Sequence, residues 1–125
     1  MRNMSFSETT EQVRNKTKTV TRRDGWWFLK PGDRVQAVEK AMGLKKGEKV
    51  KKLHVIEIVS VRPEQLNAIL DYPYGETAKE GFPDMDAWSF VCLLRKITKK
   101  NVTHTVNRIE FRYLGGSDEE YTGVT

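Results

Sequence analysis

The chain has 125 residues, 38% hydrophobic and 31% charged, with a formal net charge of +5 at pH 7. A second core would leave each half too small to stabilise itself, so we expect one domain over residues 1–114 followed by a mobile acidic tail. No apolar run approaches the ~20 residues that cross a bilayer, and we expect neither membrane insertion nor secretion. The lone cysteine, Cys92, favours a reducing compartment, with the cytoplasm as the default.

The positive charge is concentrated in the first half of the chain. Residues 1–60 carry 14 Lys and Arg against 7 Asp and Glu, whereas residues 61–125 carry 8 against 10. This asymmetry indicates an anionic partner, of which nucleic acid is the commonest, although basic surfaces are often merely solvated.

The predicted elements of the first half are short. Alternation over residues 4–7 is typical of a strand, and Ser7 with the following acidic residues begins a predicted helix over residues 8–15. Residues 16–23 are rich in β-branched side chains, so we expect them to be extended or looped.

A turn separates this region from the predicted sheet. Lys30-Pro31-Gly32-Asp33 has turn composition, and the alternation of residues 34–39 predicts a strand directly after it. Residues 43–49 form a predicted basic loop. Residues 53–61 carry apolar side chains on both faces and therefore predict a central strand.

Helices dominate the predicted elements that follow. Proline begins a predicted short helix over residues 63–70, and residues 76–82 predict one or two helical turns closed by Gly81. Residues 84–96 predict an amphipathic helix capped by Asp84 or Asp86, and residues 102–114 a final strand. The order of elements predicts an α+β fold, a small mixed β-barrel with flanking helices.

Missing motifs narrow the chemistry. The chain has no dinucleotide-binding glycine motif, no phosphate-binding loop and no zinc-protease motif, and we predict neither a metal site nor a cofactor. His54 and His104 lack neighbours at metal-ligand spacing, so structural or surface roles are favoured for both. Cys92 is more typical of a small core residue than of a nucleophile.

The segment from Lys16 to Arg23 is the most unusual in the chain. It holds four cations and three threonines and leads into Gly25-Trp26-Trp27-Phe28. Cations bind phosphates and aromatic rings stack on bases, so Arg22, Arg23, Trp26 and Trp27 are candidate ligand-binding residues. A solvated basic loop beside core aromatics is the alternative.

This segment also resembles a known family. Lys18-Thr19-Val20-Thr21-Arg22-Arg23 is similar to the G-x-K-x-x-T-x-R motif of ASCH domains, which are PUA-like barrels, although Asn15 or Lys16 stands where glycine is usual. The turn at Lys30-Pro31-Gly32-Asp33, the segment Ala78–Phe82 and the strand residues Ile109–Phe111 extend the resemblance over residues 4–114.

The resemblance implies a function and a set of site residues. ASCH domains are associated with RNA or nucleotide binding, a ribonuclease activity has been described for the group, and some small bacterial members are amidohydrolases that remove the acetyl group of N(4)-acetylcytidine. Lys18, Thr21 and Glu80 match the lysine, threonine and glutamate of that hydrolase site, and Arg23 matches the motif arginine.

The chemistry of these three side chains is plausible without the family. A neutral lysine in a dry pocket accepts a proton, a threonine hydroxyl attacks a carbonyl or positions water, and a glutamic acid protonates the departing amine. In a regular strand, however, Lys18 and Thr21 would point to opposite faces, so their convergence requires a loop or turn.

We therefore expect a cleft lined by Lys18, Thr21, Arg23 and Glu80 that binds RNA, a nucleotide or a modified nucleoside. Deacylation of an N(4)-acylated cytidine by Lys18, Thr21 and Glu80 is the sharper alternative. A protein-interaction module with a basic face is a third possibility.

Overall fold

Five strands form one mixed sheet in the computed structural model, which describes residues 1–114; the predicted tail over residues 115–125 lies outside them. The strands are β1 (Asn3–Ser5), β2 (Val20–Arg23), β3 (Arg34–Val38), β4 (Lys52–Gln65) and β5 (Thr105–Tyr113). Their order across the sheet is β1-β3-β4-β5-β2. Only the β1–β3 pair is parallel, and β3–β4, β4–β5 and β5–β2 are antiparallel.

Four helices accompany the sheet in the described chain: α1 (Thr10–Arg14), a 3-10 helix (Leu66–Asp71), α2 (Glu76–Lys79) and α3 (Ala87–Thr98). As predicted, Asp86 caps α3, accepting a hydrogen bond from the Ser89 backbone N–H at 2.7 Å. Gly81 follows α2 with a φ of 101°, and a Cβ there would lie 3.0 Å from Gln12 Cγ. Glycine therefore allows both the left-handed turn and the close approach of α1.

The α+β class is confirmed, but closure of the sheet into a barrel is not shown. Within residues 1–114 no strand pairing joins the edge strands β1 and β2, which have only three and four residues. A side chain bridges them instead, because Arg23 Nη2 donates to the Ser5 carbonyl oxygen at 2.7 Å.

The central strand is confirmed, whereas the helix predicted to begin at Pro63 is wrong. β4 continues to Gln65, with Pro63 opposite Asn107 of β5, and the 3-10 helix begins only at Leu66. The pairing of β4 with β3 ends at Glu57, so beyond that point the described strands give β4 only one neighbour. A strand with one open side tolerates a residue that lacks a backbone N–H.

Two apolar clusters form the interior. The first lies on the sheet and against α1, and its buried members are Met4, Phe6, Val13, Leu29, Val35, Ala37, Ile56, Ile58, Ile109 and Phe111. The second joins α3 to the 3-10 helix and β5 through Leu66, Ile69, Phe90, Val91, Leu94 and Val106. Cys92 lies on the exposed side of α3, which corrects its predicted place in the core. Among residues 1–114, none of the helices has the length and apolar content of a membrane-spanning segment.

Candidate functional site

Lys18 and Thr21 reach the same pocket because the chain between α1 and β2 is irregular. Lys16 adopts a φ of 66°, and the Lys18 backbone N–H donates to the Gln12 carbonyl at 3.1 Å. The regular strand begins only at Val20. Lys18 therefore lies outside the alternating pattern of the strand. Its side chain and that of Thr21 can point into the same pocket, as the expected loop or turn allows.

Lys18 forms a buried pair with Glu80, which follows α2. Lys18 Nζ lies 2.9 Å from Glu80 Oε1 and donates to the Glu80 carbonyl oxygen at 2.6 Å, with both side chains less than 5% exposed. Burial lowers the pKa of Lys18 below its ordinary 10.5; Glu80 opposes this shift, while Arg23 and Arg22 reinforce it. The net lowering makes the neutral amine accessible at a lower pH than for a solvated lysine.

Arg22 connects Glu80 to two further carboxylates. Its side chain is fully buried, and it donates to Glu80 Oε2 at 2.9 Å, to Glu64 Oε1 at 2.8 Å and to Glu76 Oε2 at 2.8 Å. Burial opposes the charge of Arg22, but Glu80 and Glu64 outweigh it and raise the pKa of the guanidinium. Arg22 is thus a fixed cation that holds Glu80 in place.

The register of the sheet explains why this many carboxylates are needed. Arg22 of β2 lies directly opposite Arg108 of β5, and Arg108 lies opposite Arg62 of β4. Like charges opposite one another destabilise a sheet unless they are compensated. Glu76 supplies compensation, since Arg108 Nε donates to its Oε2 at 2.8 Å. The three guanidinium groups also lie 5.0 to 5.5 Å from the centre of the Tyr72 ring.

Arg23 holds Thr21 and β1 at the edge of the sheet. Its Nε donates to Thr21 Oγ1 at 2.9 Å, and its guanidinium carbon lies 4.7 Å from the centre of the Phe6 ring. Burial lowers the pKa of Arg23 to about 10, with Glu80 opposing that shift. Arg23 therefore positions the Thr21 hydroxyl, whose own hydrogen can still be donated.

These side chains share one pocket of about 170 Å³ at the seam between β1 and β2. Lys18, Thr21, Arg22, Arg23 and Glu80 line its polar end. The apolar part of the lining comes mainly from α3: Phe82, Phe90, Leu93, Leu94 and Ile97. The structure thus brings together the lysine, threonine, glutamate and both arginines that the sequence singled out.

The two predicted tryptophans lie elsewhere. Trp26 packs against the first apolar cluster with its ring 5.5 Å from that of Phe28, and Trp27 is 52% exposed. Neither lines the pocket that holds Lys18. Their binding role stays a prediction, and the pocket gives it no support.

Each histidine has a polar contact at a ring nitrogen. A ring nitrogen of His54 lies 3.0 Å from the Arg14 carbonyl oxygen, and one of His104 lies 2.9 Å from Asp24 Oδ1. In the part of the chain that the structure describes, no group of three or more His, Cys, Asp or Glu could hold a metal ion.

Sequence reasoning missed the carboxylates and the arginine behind the pocket. Glu64, Glu76 and Arg108 are separated from their partners by 32 to 54 residues, so no local spacing reveals the pairs. One signal was present: Arg22 and Arg108 both lie within predicted extended segments, where a buried arginine demands a carboxylate partner.

The fold and its pocket define the class: this is an α+β protein with the fold of ASCH domains, as the resemblance implied. An ASCH domain from Lactobacillus crispatus superimposes with a TM-score of 0.61 at 14% identity, covering 90% of this chain and 78% of that one. Protein EF3133 from Enterococcus faecalis gives a TM-score of 0.61 at 12% identity, covering 90% and 79%.

The hypothetical protein PH0355 gives a TM-score of 0.59 at 17% identity, covering 90% of this chain and 96% of that one. At these identities the likeness establishes the fold alone. No protein-family model matches the chain, and a search of the curated proteins also gives no match.

Proposed function

We propose that the protein binds a pyrimidine nucleoside, free or within RNA, with its base in the pocket of Lys18, Thr21, Arg23 and Glu80. The observation that carries the proposal is the lining of this pocket, which combines charged side chains of the β2 region with apolar side chains of α3. A nucleobase has a matching combination, because its faces are apolar while its edge carries donors and acceptors. A space of about 170 Å³ holds about six waters at ~30 Å³ each, which is the scale of a single base.

The polar end offers both kinds of hydrogen bond. The Glu80 carboxylate accepts from Lys18 and Arg22, and its two oxygens have capacity for a further donor such as an exocyclic amine. The Thr21 hydroxyl accepts from Arg23 and can donate to a ring nitrogen or a carbonyl oxygen. A base that presents a donor beside an acceptor therefore suits this edge.

Binding is tested by titrating the protein with N(4)-acetylcytidine and cytidine while recording backbone amide NMR signals. We expect the signals of Ser5 and Thr21, which line the pocket, to shift with a saturable dependence. Thr21→Val should weaken binding, whereas Thr21→Ser keeps the hydroxyl and should bind nearly as the parent does. Unchanged pocket signals at saturating nucleoside and with short RNA would favour the protein-interaction alternative.

The contact between Lys18 and Glu80 favours a second candidate function, hydrolysis of the N(4)-acyl group. A single proton transferred from Lys18 to Glu80 converts this ion pair into a neutral amine and a carboxylic acid, which are the base and the acid the reaction needs. The low-dielectric pocket and the lowered pKa of Lys18 assist that transfer.

In the proposed reaction, Lys18 takes a proton from Thr21 or from a water that Thr21 positions. The oxygen attacks the acyl carbon, the bond from that carbon to the exocyclic nitrogen breaks, and Glu80 protonates the nitrogen. With water the products are cytidine and the carboxylic acid; attack by Thr21 gives an acyl-threonine that a water then hydrolyses. The turnover leaves Lys18 protonated and Glu80 ionised, which is the starting ion pair, and transfer of that proton from Lys18 to Glu80 prepares the next reaction.

Hydrolysis is tested by incubating the protein with N(4)-acetylcytidine and measuring cytidine and acetate chromatographically. Lys18→Met and Glu80→Gln should each lower kcat/KM by about 10²- to 10⁴-fold, and Lys46→Met, an exposed lysine of the loop before β4, is the matched control. The productive pair holds one proton, so the rate should fall as the pH rises through the lowered pKa of Lys18, which lies below the ordinary 10.5, because Glu80 then has no proton to give to the departing amine. Binding without cytidine release would reject hydrolysis and leave nucleoside binding intact.

A further inference from the structure

A second cavity, of about 350 Å³, lies beside the same ionic network. Glu76 lines it, and this carboxylate also accepts from Arg22 of the first pocket. The other lining residues that matter are Arg62, Tyr72, Tyr74, Lys79 and Arg108. Lys18, Thr21 and Glu80 are not among its lining residues, so the second cavity is distinct from the nucleoside pocket.

The rim of this cavity carries a positive balance. The buried network between the cavities is neutral, because Lys18, Arg22 and Arg108 are matched by Glu64, Glu76 and Glu80. Outside that network the lining contributes Arg62 and Lys79 against the single carboxylate of Glu110. The rim therefore favours an anionic ligand.

The rim cations hold their carboxylates only loosely. Lys79 Nζ lies 3.9 Å from Glu76 Oε1, and Arg62 Nε lies 3.7 Å from Glu64 Oε2. Charge-assisted hydrogen bonds are about 2.7–2.9 Å long, so these carboxylate contacts are electrostatic. Arg62 Nη2 donates to the Tyr72 hydroxyl, and the other donors of Arg62 and the ammonium of Lys79 can turn toward a ligand. The side chains of Arg62 and Lys79 are also 54% and 55% exposed, which keeps them accessible.

An aromatic surface stands beside these cations. Tyr74 lines the cavity and is fully exposed, and Tyr72 lies next to it under the guanidinium groups of Arg22, Arg62 and Arg108. An exposed ring beside cations is the arrangement on which nucleic-acid bases stack while their phosphates are neutralised. A simple inorganic anion would contact the cations but not the aromatic ring.

We propose that this second cavity binds a nucleotide, with its base stacked on Tyr74 and its phosphate contacted by Arg62 and Lys79. The site goes beyond the nucleoside pocket and does not depend on it. A free nucleotide and one unit of an RNA strand present the same chemistry, a π-face joined to a phosphate.

The test is an NMR titration with uridine 5′-monophosphate, uridine and inorganic phosphate as separate probes. We expect the backbone amide signals of Tyr74, Gly75 and Lys79 to shift with the nucleotide, and at least about fivefold higher concentrations of uridine or phosphate to be needed for the same shift. Equal responses to phosphate and nucleotide would overturn the stacking role of Tyr74. No response to the nucleotide would overturn the site.

Matched variants separate stacking from charge. Tyr74→Ala should weaken nucleotide binding about tenfold, while Tyr74→Phe, which keeps the ring, should bind as the parent does. Lys79→Ala should weaken binding and reduce its dependence on salt, whereas Lys46→Ala removes the same charge from the loop before β4 and should have little effect. Binding that is unchanged in both Tyr74→Ala and Lys79→Ala contradicts the proposal.

An oligouridylate identifies the source of the nucleotide. Tighter binding of an eight-residue strand than of the mononucleotide, at the same amide signals, indicates RNA; equal binding indicates a free nucleotide. The signals of Ser5 and Thr21 report the nucleoside pocket independently. If the Ser5 and Thr21 signals stay unchanged with N(4)-acetylcytidine while the Tyr74 signal responds to the nucleotide, the proposed function is contradicted and this inference stands. If the Ser5 and Thr21 signals respond and the Tyr74 signal does not, only this inference is contradicted.

Discussion

Two parts of the same sheet are buried by opposite means. Along β1, β3 and β4 the interior is apolar and contains Met4, Val35 and Ile56. Where β2 meets β5, Arg22 and Arg108 are equally inaccessible but are held by carboxylates. Apolar packing tolerates small losses, whereas a buried charge depends on each of its partners.

The two regions also differ in what they can contribute to ligand binding and proton transfer. Side chains of the apolar region have no proton to exchange and no charge to offer a ligand. The ionic region borders both cavities, since Arg22 lines one and Arg108 the other.

The largest loss of stability is expected for Arg22→Met. It removes the shared partner of Glu64, Glu76 and Glu80, and breaking a buried ion pair from one side costs about 3–5 kcal/mol. Urea unfolding should show this decrease in the free energy of unfolding, and the nucleoside pocket should lose its ligand because Glu80 is released.

Arg62→Met is the matched control for that change. Arg62 belongs to the same row of arginines across the sheet, but its side chain is 54% exposed. Loss of an exposed pair costs at most about 1 kcal/mol. Equal losses for the two variants would show that the burial of Arg22 has no special weight.

The next effect is expected for Glu76→Gln, which keeps the shape of the side chain and removes its charge. Glu76 accepts from both Arg22 and Arg108, and a hydrogen bond to a charged group contributes about 1.5–3 kcal/mol. Urea unfolding at neutral pH should give a decrease of that size. Glu110→Gln, a partly exposed carboxylate 3.9 Å from Arg108 Nη1, is the control.

Glu76 should also make stability depend on pH. Burial alone would raise its pKa, but hydrogen bonds from Arg108 and Arg22 outweigh burial and hold the pKa below the ordinary 4.5. A carboxylate whose pKa is lowered by folding stabilises the protein above that ordinary value, and the contribution disappears as the pH falls through the folded-state pKa. Acid unfolding of Glu76→Gln should therefore begin from lower stability but fall less steeply below pH 4.5.

Much of the fold follows from local patterns. The alternation of residues 53–61 predicts the central strand because both of its faces are apolar, and the Asp86 cap and Gly81 turn follow from residue chemistry. The helix predicted to begin at Pro63 is wrong because the first turn of a helix and a strand with one open side both tolerate proline, and only the pairing with β5 distinguishes them.

The site was predictable only in part. Lys18, Thr21 and Glu80 could be chosen as site residues from the resemblance. Their convergence depends on the positive φ of Lys16, which cannot be predicted from a lysine in the sequence. Glu76 could not be chosen as the partner of Arg108, because an ion pair across 32 residues leaves no periodic signal. Registers between distant strands, rather than propensities, create this network.

A smaller effect is expected for Ile56→Val in the apolar region. Ile56 is fully buried in β4 opposite Val35, and removing one methylene from such a core costs about 0.5–1.5 kcal/mol. Thermal or urea unfolding should show the loss, while the amide shifts of Ser5 and Thr21 on nucleoside binding stay at parent values. A change in nucleoside affinity would contradict the separation of the two regions.

The smallest effect is expected for Arg112→Met, on the solvent-facing part of β5. Arg112 pairs with Glu57, its Nε lying 2.7 Å from Oε1, but its side chain is 66% exposed. Water and salt screen such a pair, so the loss in free energy of unfolding should be below about 1 kcal/mol and should vanish at 1 M salt. The loss in Arg22→Met should persist there, because ions do not reach its partners. A salt-sensitive Arg22 effect would mean that solvent enters the network and that its carboxylates are not held by burial.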